Sequence, residues 1–185
     1  MRITDIGTTW LDYPDGESLA VIVYFSGCSH ACPGCQNKKY QNFENDESRQ
    51  ISVAELVDLV DKECQRNKTN KVVFSGGDPF FSKNAAEVVL TIDQLKDHYM
   101  LDICVYTGYS IEDVKKIYER PALKSFSRPT FFKCGVYRED LKRSTWGKTD
   151  ESMTWVSTNQ NLYDGDFNLI SPEGIYTFKS AVYQG

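Results

Sequence analysis

Long apolar runs are scarce in this chain of 185 residues. The longest, LAVIVYF at 19–25, is far short of the ~20 apolar residues that a membrane-crossing helix needs. The first ten residues, MRITDIGTTW, lack the apolar core and cleavage pattern of a secretory signal, so the expected location is cytoplasmic. Basic residues are outnumbered, with Lys+Arg at 21 against Asp+Glu at 26, giving a net charge of −5. That balance argues against nucleic acid or an anionic membrane as the main partner. There is no internal repeat, heptad pattern or low-complexity linker. Cysteine is limited to six residues. Cytosolic thiols stay reduced, so clustered cysteines are read as metal ligands or catalysts before disulfides.

What is present is an ordinary globular composition, 41% apolar and 25% charged, in a chain long enough to bury a core without disulfide support. Residues 19–25 are short, β-branched and apolar at both parities, as in a buried parallel strand. Ser52 then opens a helix: Val53, Leu56, Val57 and Val60 fall at helical spacing, and Glu55 stands three residues after the cap. KVVFSGGDP reads as a strand entering a glycine turn, NAAEVVLTIDQLKDHY as a second helix, LDICVYTGY as a third strand and SIEDVKKIYER as a third helix before Pro121. Strand and helix in alternation predict an α/β fold with right-handed βαβ units and a parallel sheet. PTFFKCGV at 129–136 is a candidate fourth strand, and NLISPEGIYTF suggests a hairpin around Pro172-Glu173-Gly174. The expected organisation is one domain over residues 1–160 and a C-terminal extension, 161–185, packed on it.

Three of the expected strands end in loops rich in Gly, Ser, Thr and Cys: SGC, SGGDP and YTGY. Ligands of parallel α/β folds sit at the carboxyl ends of strands, so these loops are expected to converge on one site. The first loop, SGCSHACPGCQN, holds Cys28, Cys32 and Cys35 as C-x3-C-x2-C. Thiolates bind zinc, copper(I) or iron–sulfur clusters. A structural zinc site takes four closed ligands, and His30 is available as a fourth. In a four-iron cluster, three thiolates leave one iron open for chemistry, whereas four would close it as an electron carrier. Cys64, Cys104 and Cys134 are isolated and read as small buried hydrophobes. His98 reads as solvated.

The C-x3-C-x2-C loop after a first strand, with Gly76-Gly77-Asp78-Pro79 ending a later one, resembles the radical S-adenosylmethionine (radical SAM) superfamily. The resemblance implies a partial (β/α) barrel, a [4Fe–4S] cluster on Cys28, Cys32 and Cys35, and SAM as cofactor. It implies cofactor contacts from Gly34, Cys35, Gln36, Ser75, Gly76, Gly77, Asp78 and Thr107, with no catalytic residue beyond the cluster and SAM. The implied chemistry is reductive cleavage of SAM to a 5′-deoxyadenosyl radical. CPGC-x-N, YTGY, GVYREDL (135–141), STNQ (157–160) and the Asp15-Gly16 pair resemble the activating component of anaerobic (class III) ribonucleotide reductase. That component installs a glycyl radical on its large reductase partner and draws electrons from a donor such as flavodoxin or ferredoxin. The chain departs from that pattern at Ala20, Gln36, Cys134-Gly135 and Val156. Two other readings stay open: a small-molecule enzyme such as 7-carboxy-7-deazaguanine synthase, acting on a pterin, and a non-catalytic zinc or iron–sulfur binding module.

Overall fold

The computed structural model describes residues 1–15, 19–149 and 151–178. The expected βα units form. β1 (Arg2–Thr9) runs antiparallel to β2 (Ala20–Phe25), and β3 (Arg49–Gln50) pairs with the outer edge of β1. α1 (Val53–Asn67) begins at the Ser52–Glu55 capping box, which satisfies two orphan N–H groups and is worth ~1 kcal/mol. It ends at Lys68 in the left-handed conformation. β4 (Lys71–Gly76), α2 (Ala85–Tyr99), β5 (Asp102–Thr107), α3 (Ile111–Tyr118) and β6 (Phe131–Cys134) complete the alternation. Ser110 caps α3 by accepting from the Asp113 N–H. The α2 cap position behaves differently: the Asn84 side chain donates to Ser26 O at 2.8 Å and accepts from Arg2 N at 3.0 Å. It therefore ties α2 to the first two strands.

One eight-stranded mixed sheet has the order β10-β9-β6-β5-β4-β2-β1-β3. Its four central strands are parallel neighbours, β2-β4-β5-β6, as the alternation predicts. Val21, Val23, Phe25, Val72, Phe74, Ile103, Val105 and Phe132 belong to the same core as the buried faces of all three helices. The opposite parity, including Ile22, Val73, Cys104 and Phe131, faces Tyr13 instead. The sheet is α/β and open, with no closed barrel among the described residues.

The C-terminal region differs from expectation. β7 (Gly147–Lys148) and β8 (Ser152–Thr154) begin a small second sheet. β9 (Asn161–Asp164) pairs antiparallel with β6, and β10 (Leu169–Ser171) pairs with β9, so both extend the main sheet. β11 (Ile175–Thr177) joins β8 in the small sheet. The turn at Pro172-Glu173-Gly174 forms, but β10 and β11 do not pair across it. The reason is docking: Trp155 N donates to Gly174 O at 2.9 Å and Glu173 N to Asn161 Oδ1 at 2.9 Å, which fixes the turn on the 155–161 segment. The hairpin lies one turn upstream, between β9 and β10. Residues 179–185 of the expected extension, and Gly16 of the Asp15-Gly16 pair, lie outside the described residues.

Candidate metal centre

The end of β2 leads straight into the cysteine loop. Gly27, at φ +98°, sits where a Cβ would meet the Phe81 ring at 2.5 Å. Its N–H donates to Tyr40 O at 2.8 Å, and Cys28 N donates to Gln41 O at 3.0 Å, so the far side of the loop holds the near side. Cys28, Cys32 and Cys35 are each half-buried. Together with Gly34 and Gln36 they line a cavity of about 480 Å³, within the ~300–1,000 Å³ range of small-ligand sites. Burial pushes the Cys28 thiol up to about 11 and raises Cys32 as well. A metal that takes these thiolates therefore displaces protons on binding. Cys64, Cys104 and Cys134 are buried, and burial raises all three thiols. They lie in a helix and in strands, as the sequence suggests, and none of them lines the cavity.

The other two loops converge on the same cavity, which is also lined by Ser75, Gly76, Gly77, Thr107 and Gly108. The glycine pair has a backbone reason to be glycine. At Gly77 a Cβ would lie 2.5 Å from Tyr40 O and 2.6 Å from Gly27 O; at Gly76, φ is +105° and a Cβ would lie 2.5 Å from Phe25 N. The tight approach is thus to the base of the cysteine loop.

Asp78 has a task other than the ligand contact expected from sequence. It is fully buried and absent from the cavity lining. Its carboxylate accepts from Thr107 Oγ1 at 2.9 and 3.0 Å, Gly108 N at 2.9 Å, Phe80 N at 2.9 Å and His30 Nε2 at 3.0 Å. One side chain thereby joins the cysteine loop, the glycine turn and the YTGY turn. The His30 ring also packs edge-on to Tyr109, with centroids 4.6 Å apart. Cys28, His30 and Asp78 present ligand atoms within 4.8 Å of one another, but neither Cys32 nor Cys35 belongs to that group. A Cys3His zinc site over all three cysteines does not match this placement. His98 is exposed.

Segments after β6 brace the loop from above. Gly34, at φ +71°, lies under Glu139 and Tyr137, whose hydroxyl hydrogen-bonds the Glu139 carboxylate. That bond pushes the Tyr137 phenol up to about 12. The STNQ turn holds this segment in place: Asn159 Nδ2 donates to Val136 O at 2.8 Å and Gln160 Nε2 to Gly135 O at 3.3 Å. Residues that sequence reading missed include Lys133, Trp146 and Trp155, all in the cavity wall. Trp155 Nε1 donates to Tyr106 Oη at 3.1 Å, and that hydroxyl donates to Asp12 O at 2.7 Å. The available signal for Lys133 was a single cation in an otherwise apolar strand, FFKC.

Three soft donors on one short loop, facing a cavity at the ends of parallel strands, are a donor set suited to a thiophilic metal or cluster on an α/β scaffold. The family model described as a 4Fe-4S single cluster domain matches residues 14–162. Relatives are more specific. The anaerobic ribonucleoside-triphosphate reductase-activating protein of Pasteurella multocida (strain Pm70) is 33% identical over 159 residues, covering 82% of this chain and 91% of that protein. The protein of the same name from Enterobacteria phage T4 is 25% identical over 150 residues, covering 80% and 90%. That from Escherichia coli K12 is 26% identical over 105 residues, covering 56% and 68%. The chain belongs to the 4Fe-4S single cluster domain family and to the family of anaerobic ribonucleoside-triphosphate reductase-activating proteins.

Proposed function

We propose that this chain is a radical SAM activase that installs a glycyl radical on the large subunit of an anaerobic ribonucleotide reductase. The observation that carries the reading is the convergence of Cys28, Cys32 and Cys35 with the glycine turn of β4 on one cavity. The donor set fits a [4Fe–4S] cluster: three thiols line the cavity, the other described cysteines are buried in helix and strands, and His30 is engaged by Asp78. When bound and reduced, the cluster supplies the electron that cleaves SAM to a hydrogen-abstracting 5′-deoxyadenosyl radical.

The chain's own residues then have distinct tasks. Cys28, Cys32 and Cys35 would hold the cluster. The backbone of Gly34, Cys35 and Gln36 would border the adenine, and Ser75, Gly76, Gly77 and Thr107 the methionine portion. Asp78 keeps the three loops in register from behind. Ile22, Tyr24, Tyr106 and Trp155 wall the cavity with apolar and aromatic surface, which excludes water from a site where a radical forms. A partial barrel formed by the open sheet, with residues 161–185 as an extension of a 1–160 domain, is part of the same reading. So are a cytoplasmic location and a flavodoxin- or ferredoxin-type donor. No helix of the described residues is long and apolar enough to cross a membrane.

A protein substrate is favoured by surface chemistry at the mouth. Leu11 and Trp146 line the cavity and are 62% and 49% exposed, a pair of large apolar side chains suited to contact with another protein. The test mixes anaerobically reconstituted protein, reductant, SAM and the cognate reductase, then records an electron paramagnetic resonance spectrum. A doublet that vanishes when the partner's radical glycine is changed to alanine is the expected result. Turnover of a small pterin with no radical on the reductase would overturn it in favour of the small-molecule reading. Zinc without iron or sulfide in the purified protein would favour the binding module.

A further inference from the structure

The sulfurs of Cys28 and Cys32 both accept backbone hydrogen bonds, and the donors differ in origin. Cys28 is bonded by the N–H of His30, two residues along the same loop. Cys32 is bonded by its own N–H and by that of Tyr137, which lies beyond β6 in the GVYREDL segment. A bond from a neighbour comes with the fold of the loop. A bond from a distant segment exists only where the tertiary structure holds that segment against the sulfur.

The 135–141 segment is held along its whole length. Gly135 N donates to Thr107 O at 3.1 Å and to Tyr109 O at 3.2 Å, which joins its root to the YTGY turn. Thr158 N donates to Leu141 O at 3.1 Å at its far end. Between them, Asn159 Nδ2 donates to Val136 O at 2.8 Å. Val136 O and Tyr137 N belong to one planar trans peptide unit, so its C=O and N–H point in opposite directions. Asn159 holds the C=O, and that aims the N–H at Cys32. Hydrogen bonds in series through one peptide also strengthen each other by polarisation. Gly135 leaves room for the clamp, since a Cβ there would lie 2.7 Å from Asn159 O.

Hydrogen bonds to the sulfurs are among the factors that set an iron–sulfur potential, because a donor stabilises the added negative charge of the reduced state. We propose that the Tyr137 backbone N–H raises the reduction potential of the cluster through Cys32, and that Asn159 is the positioning residue that aims it. The assignment rests on the cluster reading above and goes beyond it to how readily the cluster takes an electron from its donor. It also gives a task to GVYREDL and STNQ, two motifs that supply no thiolate.

The experiment is a redox titration of anaerobically reconstituted protein without SAM, read from the electron paramagnetic resonance signal of the reduced cluster. Wild type and Asn159→Leu are compared after iron and sulfide are shown to be equal. The leucine variant keeps a similar volume but lacks the amide donor. Its ratio of reduced to oxidised cluster at a fixed potential is expected to fall ~10-fold, which is ~59 mV for one electron. A second measurement follows the bond itself, in protein whose tyrosines carry the heavy nitrogen isotope. The reduced cluster should show a hyperfine coupling to that nitrogen in wild type. The coupling should weaken in Asn159→Leu and vanish in Tyr137→Phe, which keeps the N–H but not the label. The wild-type and Tyr137→Phe pair decides the bond even where Asn159→Leu fails to load a cluster. An unchanged potential in Asn159→Leu, or no tyrosine nitrogen coupling in wild type, overturns the assignment while the cluster reading stands. Zinc without iron in the wild-type protein overturns both.

Discussion

The four parallel strands present two faces built from alternate residues of the same short segments, and the faces could hardly differ more. On the helix side, Val21, Val23, Phe25, Val72, Phe74, Ile103, Val105 and Phe132 are all apolar and nearly inaccessible. On the other side, the upper row reads Tyr24, Ser75, Tyr106 and Lys133, with a cavity against it. The helix side gains stability from burial of apolar surface, at ~25 cal/mol per Å². The other side carries hydroxyls, aromatic edges and the Lys133 ammonium over the Tyr106 ring, groups that stabilise little and recognise much. A single residue of register separates the two roles, because side chains alternate strictly along a strand.

The largest expected effect breaks the comparison at the strand ends. Cys32→Ala should lose the cluster and lower SAM cleavage by at least ~10³-fold, as removal of an essential group does. Cys64→Ala, on the helix side, should keep full iron content and activity. Methionine release and iron analysis of the two proteins side by side decide this.

Next, Phe74→Ala removes a fully buried ring from the helix-side core and should cost ~3–5 kcal/mol in denaturant unfolding. Tyr106→Phe, one strand over and on the opposite parity, removes a hydroxyl bonded to Asp12 and Trp155. It should cost only ~1 kcal/mol. Similar losses from both would mean that the two faces are not specialised.

Gly77→Val sharpens the role of the strand-end glycines. Because a Cβ there meets Gly27 O and Tyr40 O, the expected first casualty is the cysteine loop, seen as lowered iron content after reconstitution. Normal iron content with SAM affinity alone reduced would show that this glycine makes room for the ligand instead.

A gain in stability, instead of a loss, is expected at the odd member of the cavity-side row. Lys133→Met should be ~1–3 kcal/mol more stable than wild type near neutral pH in the absence of SAM, since it removes a desolvated charge. The Lys133 ammonium is pushed down to about 8 in the folded protein, below the ~10.4 of a free lysine. Between these values the unfolded chain binds more protons, so wild-type stability rises with pH across that window. The advantage of the variant is therefore full below about pH 8 and fades toward ~10.4. A difference between the two proteins that does not change with pH would remove the burial penalty from Lys133.

Local signals made half of this legible. Apolar runs at strand and helix spacing and the Ser52 cap are contained within a few residues, and each formed as read. The convergence of three loops followed from the βαβ alternation itself. The turn at Pro172-Glu173-Gly174 was legible as a turn, but its strands took partners elsewhere because the turn docks on Trp155 and Asn161.

The sequence by itself determined the parallel core and the gathering of three thiols on one short loop, because helix caps, periodicity and close spacing act between residues near one another along the chain. Only the tertiary structure decided that β1, β9 and β10 extend the sheet, that Gly77 is glycine for the sake of Gly27 and Tyr40, and that Asp78 serves the loops while Lys133 serves the cavity. Each of those facts depends on which distant segment lies opposite, and that is set by the packing of the whole chain.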